Sequence, residues 1–123
     1  MTKQRLWWSA FSAYAAAVFV VSVIPVPSAV RPPFPSFDKV IHLAMYLLLS
    51  WLLARTLLVS GVAWPRAMRA AVLTAICYGG AIELIQACLP YRDAEWLDLV
   101  ANAVGGWLGT CCVSRCARES VHG

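Results

Sequence analysis

Four runs of largely apolar residues, each close to twenty long, decide the solvent in which this chain folds. They cover about 6–24, 40–59, 70–89 and 96–112. A bilayer core needs about 20 such residues per helix, and its lack of water leaves only helices and closed barrels able to satisfy their own backbones. The 123 residues are 61% hydrophobic and 13% charged, with a mean hydropathy of +0.70. A soluble domain is about half apolar and about a quarter charged. The expectation is an all-α fold, an integral membrane four-helix bundle forming a single domain over residues 1–123.

The boundaries carry their own signals. Pro25-Val26-Pro27 stops the first run, because proline supplies no N–H and clashes with the preceding turn. Lys3 and Arg5 before an apolar stretch also suit a signal peptide, but the stretch is long and the site after it, around Ser28 and Ala29, is a poor cleavage site, so a retained anchor is expected. Ser36 or Asp38 is placed to cap the second run, and Arg55 to snorkel to the interface near its end. Gly61 and Pro65 mark a short connection, and Pro90 ends the third run.

Four spans put both termini on one side. Lys3, Arg5, Arg55, Arg66, Arg69, Arg115 and Arg118 fall on that side; Arg31, Lys39 and Arg92 fall on the other. The positive-inside rule then gives cytosolic termini, with the 25–39 and 90–95 loops outward. The net charge of +4 comes with no basic aromatic stripe, so nucleic acid is not an expected partner. Five cysteines follow no disulfide framework. Cys77 and Cys88 are expected to pack in or beside an apolar run, and Cys111, Cys112 and Cys116 at a reduced cytosolic helix end.

Against this apolar background the polar residues stand out. Glu83 interrupts Ala81–Ala87, and a carboxylate in hydrocarbon is costly without a partner. Asp38, His42 and Tyr46 share one helix face; so do Gly79, Glu83 and Gln86, and so do Asp98, Asn102, Gly105 and Gly109. At about 1.5 Å per residue, His42 and Tyr46 lie roughly 5 and 10 Å below the outer helix end, Gln86 and Glu83 roughly 6 and 10 Å, and Asn102 roughly 9 Å. Three polar stripes at one level are sheltered from lipid by turning them toward one another, with Arg92 at the rim. The GxxxG of Gly105 and Gly109 reads as intramolecular helix packing, with Gly79 and Gly80 as its expected partners; a homodimer seam is the alternative.

Taken in order, Asp38-Lys39-x-x-His42-x-x-x-Tyr46, Tyr78-Gly79-x-x-x-Glu83-x-x-Gln86, Pro90-x-Arg92 and Asp98-x-x-x-Asn102-x-x-Gly105-x-x-x-Gly109 resemble the VanZ-like family. The resemblance runs from about residue 34 to 110, with Leu43 where an aromatic is expected. These are small bacterial membrane proteins named for a member that raises resistance to the glycopeptide antibiotic teicoplanin. The resemblance implies a four-helix protein of the cell envelope and leaves any reaction open.

Asp38, Lys39, His42, Tyr46, Glu83, Gln86, Arg92, Asp98 and Asn102 are therefore the candidate ligand-binding residues. The favoured partner is an anionic membrane lipid, a lipid-linked cell-wall precursor or a glycopeptide antibiotic, with Arg92 gripping phosphate or carboxylate. A second reading makes His42 and Glu83 the acid–base pair of a hydrolase or transferase. A third has the cluster only fix helix register, through Glu83–Arg92 and His42–Asp98 pairs. A metal held by His42, Glu83 and Asp98 finds no support in HxxxH or CxxC spacing, so no metal and no cofactor is expected.

Overall fold

The computed structural model describes residues 2–27 and 33–122. Arg31, counted above for orientation, and Ser28 and Ala29 of the cleavage argument lie outside the described residues. Four helices follow in chain order: α1 (Lys3–Val23), α2 (Phe37–Val59), α3 (Trp64–Ala87) and α4 (Trp96–His122). Each is long and apolar enough to cross a membrane, and there is no strand among the described residues. The chain is a multi-pass, all-α membrane bundle.

The helices overrun the apolar runs at several ends, for local reasons. α1 starts at Lys3 because the Thr2 hydroxyl accepts from the Arg5 N–H at 3.3 Å. α3 starts six residues before its apolar run, with Pro65 in its first turn, where a missing N–H costs nothing. α4 continues past Cys112 into polar sequence, with Arg115 and Glu119 paired across one turn at 3.7 Å. Ser36 is the residue before α2 but makes no capping bond with its side chain, and Asp38 takes its bond from Lys39 instead. At the other end of α2, Gly61 N–H reaches Leu58 O and Val62 N–H reaches Leu57 O. That is a Schellman closure, and it needs the positive φ of 87° that Gly61 supplies.

The core lies where α1, α2 and α3 meet, built on Val18, Tyr46, Leu49, Ala75 and Ile82. A second apolar cluster joins Leu53, Ala54, Ala71 and Val113 nearer the termini. α1 contacts α2 and α3 only, while α4 packs on the far side of the same pair. The tightest seam runs between α2 and α4. A Cβ on Gly105 would overlap the Leu43 carbonyl, and one on Gly109 would overlap Leu47 O and Ser50 Oγ. The GxxxG thus faces α2, not the expected Gly79 and Gly80; on the α3 side it is Gly106 that fits, against Ala75, and Gly79 against Asn102. Small residues let backbones approach where lipid offers no hydrophobic drive.

The Arg55 guanidinium, near the end of α2, sits 5.5 Å from the Trp7 ring centroid, with Nε buried. Trp7 in turn leans on Trp51, 5.9 Å between ring centroids. Cys77, Cys88, Cys111, Cys112 and Cys116 are all exposed on the surface of the bundle, and, as expected, no disulfide joins them.

Candidate functional site

The α1–α2 and α3–α4 connections share one end of the bundle, called here the connection end. Three helices and the α3–α4 connection bring charge together there. Lys39 Nζ lies 2.8 Å from Glu95 Oε2, 3.0 Å from Asp38 Oδ2 and 3.6 Å from Asp98 Oδ1. His42, one turn deeper on α2, holds Nδ1 3.4 Å from Asp98 Oδ1. His42, Glu83 and Asp98 each bring a ligating atom within 4.8 Å of the other two. Asn102 lies a turn below Asp98 and packs against Gly79, whose missing Cβ leaves the room: a Cβ there would come within 2.6 Å of Asn102 Nδ2.

Burial of the deeper groups is nearly complete, while Asp38 and Glu95 are half-exposed. Glu83 is 7% exposed, Asp98 4%, Gln86 4% and Asn102 2%. Yet His42 Nδ1, Glu83 Oε2, Gln86 Oε1, Asp98 Oδ1 and Asn102 Oδ1 make no hydrogen bond within the protein. An unsatisfied buried acceptor is expensive in low dielectric. Five of them gather toward the connection end, and two, His42 Nδ1 and Asp98 Oδ1, face each other at 3.4 Å.

Beside the cluster opens a cavity of about 330 Å³, walled by Val21, Val26, Phe37, Ile41 and Met45, with Asp38, His42, Gln86, Arg92 and Ser22 as its polar groups. On the other flank a cleft of about 440 Å³ runs between α3 and α4, with Glu83, Glu95, Leu84 and Trp96 on its walls. His42 faces the cavity, Glu83 the cleft, and the two meet at Asp98. Chemically, the region offers an apolar wall, an imidazole, buried carboxylates and two cations.

The expected site residues divide in three. Asp38, Lys39, His42, Glu83, Asp98 and Asn102 come together in or under the charge cluster, and Gln86 lies on the cavity wall. Tyr46 does not reach the cavity; it is 2% exposed and packs with Val18 and Ile82 in the core. Arg92 lines the cavity but is not paired with Glu83. Its Nη2 donates to Val21 O at 2.9 Å and, with Nε, to Ile24 O. Tyr91 OH and Gln86 Nε2 donate to Val23 O and Ser22 O at 2.7 and 2.9 Å, so the last carbonyls of α1 are capped from α3 and the α3–α4 connection. Sequence reasoning missed Glu95, which joins Lys39 across 56 residues, and the contribution of α1. Nothing local to Glu95 signals that contact.

A model of the VanZ/LLP1 family matches residues 2–117, almost the whole chain. The chain belongs to the VanZ/LLP1 family. No curated protein and no solved structure matches it. The four motif blocks are thus set in a VanZ/LLP1 bundle, where Asp38, His42, Glu83, Asp98 and Asn102 all converge toward the connection end, and Gly79, Gly105 and Gly109 form close helix contacts.

Proposed function

We propose that this VanZ/LLP1 protein binds an amphiphile of the bacterial envelope, a membrane lipid or lipid-linked cell-wall precursor with an anionic headgroup. One observation carries the reading: the connection-end cavity joins a continuous apolar wall to converging polar groups, the make-up of a small-molecule site. An acyl chain runs along Val21, Ile41 and Met45, and the headgroup meets Arg92 and His42. A volume of about 330 Å³ suits a headgroup and part of a chain; a glycopeptide is several times larger and would be held only at the rim. In this reading the protein sits in the cytoplasmic membrane with both termini cytosolic and the cavity outward, the orientation that the loop charges favour. C-terminal fusions to a fluorescent protein and to alkaline phosphatase test the orientation: fluorescence with no phosphatase activity is expected.

Native mass spectrometry of protein extracted from its own membranes tests the binding. Wild type is expected to retain a lipid or precursor, and Ile41→Trp, which fills the cavity, to lose most of it. Equal retention by both proteins would remove the cavity from consideration. The enzyme reading draws on His42 beside Glu83 and Asp98. It requires conversion of the retained molecule, visible as a mass change that Glu83→Gln prevents. Teicoplanin resistance is a separate question, answered by the inhibitory concentration on expression in a susceptible host.

A further inference from the structure

Two groups at the connection end bring three potential ligands close enough to share an ion: Asp38, Glu95 and Asp98, and His42, Glu83 and Asp98. The first already surrounds an ammonium, since Lys39 Nζ lies within 3.6 Å of all three carboxylates. The second meets Lys39 only through Asp98, whose Oδ1 lies 3.6 Å from Nζ. Its His42 Nδ1, Glu83 Oε2 and Asp98 Oδ1 are buried and accept no hydrogen bond. Charge points the same way. Asp38, Glu83, Glu95 and Asp98 set four carboxylates against the single ammonium of Lys39, while the Nε and Nη2 donors of Arg92 are engaged by α1. The cost falls on Glu83 and Asp98, the two buried carboxylates of this excess.

We propose that His42, Glu83 and Asp98 form a binding site for a divalent transition-metal ion of the Zn²⁺ type. One imidazole and two carboxylates are a mixed nitrogen and oxygen set, which suits Zn²⁺ better than the all-oxygen shells of Mg²⁺ or Ca²⁺. Bonds of about 2.0–2.1 Å in a tetrahedron hold ligand atoms about 3.3 Å apart. His42 Nδ1 and Asp98 Oδ1 are already 3.4 Å apart. Glu83 brings an oxygen within 4.8 Å of both and closes the set by a side-chain rotation. The ion cancels the charges of Glu83 and Asp98 and leaves Lys39 to Asp38 and Glu95. Three protein ligands leave a fourth position open beside the cavity that His42 lines, and the Glu83–Glu95 cleft gives a carboxylate-lined way in.

Full-length protein in detergent, with its five exposed cysteines replaced by alanine so that thiols do not compete, is stripped with chelator and titrated with ZnCl₂ alone. About one Zn²⁺ per chain is expected, with a rise in melting temperature and an X-ray absorption shell of nitrogen and oxygen. Glu83→Gln and His42→Gln are each expected to weaken binding by at least about 100-fold, more than the loss of a residue that only supports a ligand. Glu95→Gln leaves it within a few-fold. No binding above empty micelles by a parent of native helicity, or undiminished binding in whichever of the two glutamine variants keeps that helicity, overturns the site. The readout is bound Zn²⁺, and lipid retention by the same preparation is read separately by native mass spectrometry, so failure of this site and failure of the proposed function are distinguishable.

Discussion

Arg92 holds the C-terminus of α1, donating to the Val21 carbonyl at 2.9 Å and to Ile24 O through two further bonds. α1 has no basic residue in its own last turn, so the cation its dipole favours comes from the α3–α4 connection. Arg92→Ala is expected to cost about 2 kcal/mol or more, from charge-assisted bonds and exposed carbonyls. Arg92→Lys should recover only part, because an ammonium lacks the fork. Thermal unfolding in detergent measures both, and a Lys variant as stable as wild type would reduce the contact to charge alone.

The glycines divide by what a methyl group would meet. Gly105→Ala drives a Cβ into the Leu43 carbonyl, a backbone atom that moves only with the α2–α4 seam. A loss of at least about 2 kcal/mol is expected. Gly80→Ala meets only Leu99 Cδ2 at 3.9 Å, an ordinary contact, and gains up to about 1 kcal/mol of helix propensity. Opposite shifts in the unfolding midpoint of the two variants are the expected result; equal shifts would contradict the seam.

Gly61→Ala strains the Schellman closure of α2, since its φ of 87° suits glycine alone. The expected cost is about 1–2 kcal/mol, with no change in ligand retention, because this turn lies at the end of the bundle away from the cavity. Unfolding and native mass spectrometry on one preparation separate the two effects.

Lys39 joins α2 to Glu95 and Asp98. Lys39→Met should destabilise the bundle, and Glu95→Gln should then relieve the surplus charge. In a double-mutant cycle, Glu95→Gln is expected to be harmful in wild type and neutral or helpful beside Lys39→Met. Additive effects would mean that the two side chains do not interact.

The number and type of elements were legible because lipid imposes a simple rule: about 20 apolar residues per span and an internally bonded backbone. The convergence of His42, Glu83, Asp98 and Asn102 was legible for the same reason, since polar stripes at one depth have nowhere to go but inward. Helix ends were less so: Pro65 reads as a break but starts α3, and α4 continues on local pairing where hydropathy falls away.

What the sequence alone determined is therefore four helices and the faces they turn from lipid, properties set by spacing along one helix. Only the tertiary structure decided who meets whom. Arg92 caps α1 instead of pairing with Glu83, and the GxxxG lies against α2. Tyr46 goes to the core, and Glu95 reaches Lys39 across the bundle. Periodicity fixes the direction of a side chain about its own helix axis. The rotation and neighbour of each helix follow from the packing of all four, a sum of contacts that no single stretch of the chain contains.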